Sequence, residues 1–263
     1  MEPEQEHDFH RIVESVGQRF QNNPLDIVNE DMLHPRLVYE LQKNLSVTDL
    51  PAHLITEWDE RSEWSVKWKR RSWSQNGDNN LGYVSRLRSE VCFPESGTDS
   101  GKRNYFDIVL FDEDQKRLEL LSKSKGPGNW FSLKNDVELL AEVKHSKTSD
   151  EKDFYKKNKG IRDIQGLSQF PGNDIERVFV FASHYPYNHH KKTNRLESSW
   201  SKLEAELNEN PDEFEFAVTI YHIPRKYDII SDPEIAEGPN IDLPIQTRTA
   251  QKINGKIELS KRN

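Results

Sequence analysis

The chain has 263 residues and a formal net charge of −8, and 33% of its residues are apolar while 31% are charged. Twelve Phe, eight Tyr and six Trp provide enough large side chains for a buried core, which excludes a wholly disordered chain. A single cysteine excludes an intramolecular disulfide, and no apolar run reaches the ~20 residues that a membrane-spanning helix needs. We therefore expect a cytoplasmic protein without a membrane partner.

The sequence divides into three segments. Residues 1–29 are predicted to form a polar arm and a short amphipathic helix, because acidic side chains dominate their start. Residues 30–223 are predicted to form one domain. Within it, residues 46–80 lack a clean period and are interpreted as an insertion. Residues 224–263 are rich in proline and polar side chains at first, and are predicted to form a C-terminal appendage.

The predicted elements of the core follow one another in the order αβββαβαβ. Leucines at every fourth position predict the first helix, in which Pro35 marks either the start or a kink. Alternation and apolar runs predict strands at 83–93, 104–112, 136–145, 177–182 and 214–222. Amphipathic spacing predicts the later helices at 161–170 and 196–208. In the tail, Asn254-Gly255 between alternating residues predicts a hairpin over 251–259.

Charged residues interrupt two neighbouring predicted strands. Glu142 and Lys144 are two positions apart, so strand alternation places them on the same face. Asp107 interrupts the apolar run of the preceding strand. Charges at positions of buried character are costly unless they meet a counter-charge, a metal ion or a substrate. Two carboxylates are suitable ligands for Mg²⁺, and the ammonium of Lys144 is suited to orienting a water molecule bound there.

The pattern of Asp107 on one strand and Glu142-Val143-Lys144 on the next resembles that of the PD-(D/E)XK, or restriction-endonuclease-like, nuclease superfamily over about residues 30–183. The resemblance implies an α/β fold whose αβββαβ core has a central mixed sheet flanked by helices. It also implies that Asp107 and Glu142 bind Mg²⁺, or Mn²⁺ in its place, while Lys144 assists the attacking water. Phe106 replaces the proline of the family pattern, and the long gap before Glu142 requires an extended hairpin.

Members of this superfamily often add a glutamate from the first helix and a polar residue from the helix after the lysine strand. The sequence offers Glu40 or Glu30 as the third metal ligand, and Gln165 as the further catalytic residue. Glu30 lies on the buried leucine stripe if the helix runs through Pro35. Glu40 is favoured if Pro35 is the first helical residue, and we prefer Glu40 because proline is common in first turns.

Cations in the insertion suggest a surface for nucleic acid. Lys67, Lys69, Arg70 and Arg71 are interleaved with tryptophans, and together they have the composition of a surface where cations contact phosphates and rings stack on bases. The alternative is that the tryptophans belong to the core and the cations form its solvated edge. The acidic total charge does not exclude such a local surface.

These observations predict a Mg²⁺-dependent endonuclease that hydrolyses phosphodiester bonds in DNA, with a role in restriction or genome defence suggested by the resemblance alone. The alternatives are an RNA nuclease, a repair or recombination nuclease, or a non-catalytic nucleic-acid-binding module with the same fold. No Gly-x-x-x-x-Gly-Lys phosphate loop occurs, so no nucleotide cofactor is expected. A homodimer is plausible because cutting both strands needs two active sites or two visits.

Overall fold

A computed structural model describes residues 3–22, 30–45, 47, 49–54, 80–93, 104–114, 118–122, 130–132, 136–146, 160–183, 193–224 and 244–261. Its helices are α1 (Pro3–Asn22), α2 (Glu30–Asn44), α3 (Gly160–Gln169) and α4 (Thr193–Leu207), with one 3-10 turn at Pro211–Glu213. Its strands are β1 (Asp49–Leu54), β2 (Asn80–Ser85), β3 (Leu87–Phe93), β4 (Asn104–Phe111), β5 (Leu118–Ser122), β6 (Trp130–Ser132), β7 (Val137–Ser146), β8 (Glu176–Ser183), β9 (Val218–Pro224), β10 (Gln246–Ile253) and β11 (Lys256–Lys261). The predicted fold class, α/β with a mixed sheet and flanking helices, is confirmed.

The chain forms two compact units. The first unit combines Met1–Leu45 with Ala141–Asn263, and the second unit is Ser46–Leu140. Strand β7 begins in the second unit and ends in the first. The predicted domain boundaries at residues 29/30 and 223/224 stay predictions.

In the first unit, the strands lie in the order β11-β10-β9-β8-β7. Strands β8 and β9 are parallel, whereas β10 is antiparallel to both β9 and β11. Helices cover both faces of the sheet at β9. Tyr221 and His222 are consecutive, so their side chains point to opposite faces. Tyr221 contacts His10 of α1, and His222 contacts Trp200 of α4.

Helix α1 is longer than the short helix predicted for the arm, and its apolar stripe is buried. The stripe follows helical spacing and consists of Phe9, Ile12, Val13, Val16 and Phe20. Gly17 lies in the middle of the helix, where an added Cβ would lie only 2.5 Å from Ile245 Cδ1. Glycine at this position therefore lets α1 approach Ile223 and Ile245 closely.

The predicted C-terminal hairpin is confirmed. Strands β10 and β11 pair antiparallel, with Ile253 opposite Lys256. The two turn residues have positive φ angles, 51° at Asn254 and 78° at Gly255. This is the backbone conformation that two-residue hairpins with matching strand twist require. Since β10 also pairs with β9, the hairpin extends the sheet of the first unit.

In the second unit, the strands lie in the order β7-β4-β3-β6-β5-β1-β2. β1 is parallel to β5, and β3 is parallel to β6, so the sheet is mixed. The strand predicted at 83–93 is two strands with a bend at Arg86 between them. The long gap before β7 contains an antiparallel pair, β5 and β6. The described residues form eleven strands, more than the five in the predicted core order αβββαβαβ.

Helix α2 corrects the preferred prediction for Pro35. The helix begins at Glu30 and runs through Pro35, whose ring is exposed. Proline inside a helix removes one backbone hydrogen bond and costs ~3 kcal/mol or more. Burial of Leu33, Leu37 and Leu41 offsets this cost, because each buried leucine stabilises the fold by about 1.5–3 kcal/mol.

The insertion predicted at 46–80 begins with β1, and the residues after it up to 79 lie outside the described residues. This also holds for the predicted nucleic-acid surface of Lys67, Lys69, Arg70 and Arg71. None of the described helices is long and apolar enough to cross a membrane.

Candidate active site

Glu142 and Lys144 lie on the same face of β7, as strand alternation predicts. The Nζ atom of Lys144 is 3.5 Å from Oε2 of Glu142. The side chain of Glu142 is 8% exposed, while that of Lys144 is 25% exposed. Glu142 is therefore a buried carboxylate with an adjacent ammonium, and Lys144 provides the contact of this pair with solvent.

The opposite face of β7 is covered by α1. Ala141 and Val143 are fully buried there. The ring of His145 packs edge-on against Phe20 of α1, with ring centroids 5.9 Å apart. The charged pair and the helix α1 thus occupy different faces of the strand, because successive side chains point in opposite directions.

Asp163 of α3 is a third charged group at Lys144, and sequence reasoning did not identify it. Its Oδ2 atom is 3.7 Å from Nζ of Lys144, and its side chain is 24% exposed. Helical spacing places Asp163 on the same side as the buried residues Gly160 and Leu167. The sequence did contain a signal for this contact. Asp163 is an acidic residue beside the buried stripe of the helix that follows the strand of Lys144.

Gln165, the residue predicted on this helix, lies at the other edge of the buried stripe. It is two residues beyond Asp163, which corresponds to about 200° around the helix axis. Its neighbours at helical spacing are Ile161 and Ser168, both buried. The residue that α3 directs at Lys144 is therefore Asp163, and a catalytic role of Gln165 stays a prediction.

Helix α3 is held in place at its C-terminal end. The hydroxyl of Ser168 donates to the carbonyl of Phe216 at 2.8 Å and accepts from the amide of Glu215 at 2.8 Å. The guanidinium of Arg177 donates to the carbonyl of Phe170 at 2.7 Å, just after the helix. Burial lowers the pKa of Arg177 to about 10, so it remains a cation at neutral pH.

Asp107 is half-buried on β4, between the fully buried Phe106 and Ile108. Asp107 therefore interrupts an otherwise buried apolar strand, as the sequence predicts. Asp107 belongs to the second unit, whereas Glu142 and Lys144 belong to the first. A joint site of the three residues stays a prediction.

The structure describes the side chain of only one of the two carboxylates proposed from α2. The carboxylate of Glu40 contacts Arg36 along the helix, with 2.6 Å between Oε1 and Nη2, and it also accepts a 3.4 Å hydrogen bond from Asn44. Glu30 is the first residue of the helix, and its side chain lies outside the described residues. Because α2 runs through Pro35, the condition under which the sequence favours Glu30 over Glu40 is met, and the choice of ligand stays a prediction.

The fit of a metal ion depends on how many protein ligands it needs. Among the residues that the structure describes, no group of three or more His, Cys, Asp or Glu side chains is placed to hold a metal. Mg²⁺ commonly keeps several waters and takes only one or two protein carboxylates. Glu142 fits that requirement, because it provides a carboxylate with hard oxygen ligands, held in place by its burial on β7 beside Lys144.

Comparison with solved structures shows a likeness to NucC. The E. coli protein in its cAAA-bound form matches with a TM-score of 0.41 and 9% identity, over 97% of this chain and 81% of that chain. The P. aeruginosa protein in its cAAA-bound form matches with a TM-score of 0.40 and 8% identity, over 97% and 82% of the two chains. The apo form of E. coli NucC matches with a TM-score of 0.38 and 10% identity, over 97% and 84%. No protein-family model and no curated protein matches the chain significantly.

Proposed function

We propose that this protein is a Mg²⁺-dependent endonuclease that hydrolyses phosphodiester bonds in DNA. The observation that carries the proposal is the pair of Glu142 and Lys144 on one face of β7, with 3.5 Å between Oε2 and Nζ. A buried carboxylate beside a partly exposed ammonium is costly for a strand that needs only to pack. The pair is accounted for if it serves a reaction.

In the proposed site, Glu142 and Asp107 would hold the ion. The bound ion would lower the pKa of a water molecule and stabilise the charge that develops on the phosphate. Glu142 supplies a ligand whose position is fixed by β7, since its side chain is buried. Lys144 is exposed enough to meet a substrate, and its ammonium can orient the attacking water or offset the added negative charge.

The proposal is tested by incubating the protein with plasmid DNA, single-stranded DNA and RNA, with Mg²⁺, with Mn²⁺ or with a chelator. We expect cleavage of DNA that requires the ion and stops when it is removed. Cleavage in the presence of the chelator contradicts the mechanism. Cleavage of RNA alone indicates the alternative RNA nuclease, whereas binding without cleavage of any substrate indicates a non-catalytic module.

A matched pair of variants separates the site from general effects on the fold. Lys144→Met removes the ammonium of the proposed site. Lys252→Met removes a lysine of the same unit that is 29% exposed and pairs with Asp212 at 3.1 Å. We expect Lys144→Met to lose cleavage and Lys252→Met to keep it. Equal activity of the two variants would contradict the assignment of Lys144.

A role in genome defence and the formation of a homodimer are part of the proposal. Cutting both strands of a duplex requires two active sites or two successive visits of one site. Sedimentation of the protein with and without DNA measures the oligomeric state. A strictly monomeric protein that only nicks plasmid would contradict the dimer.

A further inference from the structure

We infer that Asp163 is a positioning residue that holds the ammonium of Lys144 at the proposed active site. This inference rests on the proposed function, which it extends from β7 to the helix that follows it. The ammonium lies between two carboxylates, with 3.5 Å to Oε2 of Glu142 and 3.7 Å to Oδ2 of Asp163. Both distances are longer than those of ordinary hydrogen bonds and lie within the range of ion pairs, so both carboxylates attract the ammonium.

The two carboxylates come from elements of different kinds. Glu142 is on the same strand as Lys144, and its position follows from the strand itself. Asp163 reaches Lys144 from α3, which is fixed at its other end by Ser168 and Arg177. Because both ends of the contact are on regular elements with buried faces, Asp163 sets the direction of the flexible Lys144 side chain.

Asp163 is needed most when Glu142 serves as a metal ligand. A divalent cation at Glu142 would take over the attraction of that carboxylate and would repel the ammonium of Lys144. Asp163 would still attract the ammonium, because its Oδ2 atom lies 3.7 Å from Nζ. Partial burial of both side chains reduces solvent screening and so strengthens this attraction. Asp163 therefore keeps the ammonium near the reacting water instead of letting it turn to solvent.

Two other roles of Asp163 would have different experimental consequences. As an acidic residue in the first turn of α3, it could only stabilise the positive end of the helix dipole. As a third carboxylate, it could bind the metal ion itself. A positioning residue acts through Lys144, a dipole partner acts on stability alone, and a metal ligand changes the Mg²⁺ requirement.

The first experiment measures the coupling of the two side chains without using activity. Asp163→Asn, Lys144→Met and the double variant are unfolded in urea. If the pair interacts, the increase in the unfolding equilibrium constant of the double variant is about twofold to fivefold smaller than the product of the increases in the two single variants. Asp163→Asn combined with Lys252→Met serves as the control, for which the two increases simply multiply. Increases that multiply in both combinations would overturn the inference.

The second experiment measures DNA cleavage under single-turnover conditions. We expect Asp163→Asn to lower the rate about tenfold to hundredfold, while DNA affinity and the Mg²⁺ concentration for half-maximal rate change less than about twofold. Asp163→Glu should recover part of the rate. Arg162→Ala, which alters an exposed neighbour on α3, should leave the rate unchanged.

The outcomes distinguish this inference from the proposed function. A wild-type protein that cleaves no nucleic acid overturns the proposed function. A wild-type protein that cleaves, with Asp163→Asn equally fast, overturns only the role of Asp163. An increased Mg²⁺ requirement in Asp163→Asn identifies Asp163 as a metal ligand and also overturns the positioning role.

Discussion

Arg86 and Glu138 form a buried ion pair that joins the bend after β2 to the start of β7. The distance from Nη1 to Oε2 is 2.6 Å, and the side chains are 3% and 8% exposed. The same Nη1 donates to the carbonyl of Phe111 at 2.9 Å, and Nη2 lies 3.5 Å from Oε2 of Glu113. One guanidinium therefore connects β4, β7 and the turn that follows β4 within the second unit.

The first prediction follows from this pair. Arg86→Met should lower the free energy of unfolding by about 3–5 kcal/mol, because it leaves Glu138 as a buried charge without its partner. The double variant Arg86→Met/Glu138→Met should be less destabilised than Arg86→Met alone, since no buried charge remains. Urea unfolding of the three proteins provides the measurement. A loss below about 1 kcal/mol for Arg86→Met would show that the charge is not buried in solution.

The second prediction concerns pH. Burial lowers the pKa of His222 to about 3, from a usual value of 6.5, and the hydroxyl of Ser183 lies 2.7 Å from its Nε2. Between these two pKa values the unfolded chain binds a proton that the folded protein does not. The contribution of His222 to the free energy of unfolding is therefore complete above pH 6.5. It falls by up to about 1.4 kcal/mol for each pH unit below that value.

This pH dependence is measured by urea unfolding at several pH values between about 4 and 7. His222→Gln serves as the control, because glutamine does not titrate. The variant should be less stable at neutral pH and should have a shallower slope than the wild type. Identical slopes in the two proteins would mean that His222 is exposed to solvent in the folded state.

The third prediction tests whether Asp107, Glu142 and Lys144 act as one catalytic unit. Alanine at any of the three positions should abolish cleavage while circular dichroism remains that of the wild type. Because residues that act together are not additive, Asp107→Ala/Glu142→Ala should be hardly slower than either single variant. Wild-type cleavage by a folded Glu142→Ala protein would contradict the proposed function.

The fourth prediction concerns the first helix. If Glu30 is a metal ligand, Glu30→Gln should raise the Mg²⁺ concentration needed for half-maximal cleavage, because an amide is a weaker ligand than a carboxylate. Glu40→Gln should leave that concentration unchanged, since Glu40 is engaged with Arg36 at 2.6 Å. The opposite pattern would identify Glu40 as the ligand. No change in either variant would assign only packing to α2.

The fifth prediction concerns the basic segment at residues 61–73. Replacing Lys69, Arg70 and Arg71 with alanine should weaken binding to all DNA sequences. The slope of log K against log salt should become shallower by up to about 0.9 for each lost phosphate contact. Lys252→Ala provides a control with one surface cation removed elsewhere. An unchanged slope would indicate that the segment does not contact DNA.

Local pattern determined most elements of this fold from the sequence alone. The helix at 160–169, the strand at 176–183 and the turn at Asn254-Gly255 depend on periodicity and turn chemistry within a few residues. For the same reason, the common face of Glu142 and Lys144 was predictable, because residues two apart on a strand point the same way.

The tertiary structure decided what depends on distant packing. Pro35 is inside α2 because burial of the leucine stripe outweighs the local preference of proline for a first turn. The contact of Asp163 with Lys144 depends on how α3 packs beside β7, and the pair of Arg86 and Glu138 joins residues 52 positions apart. The lowered pKa of His222 likewise depends on burial. Such burial and long-range contacts arise only when elements assemble, so no local pattern specifies them.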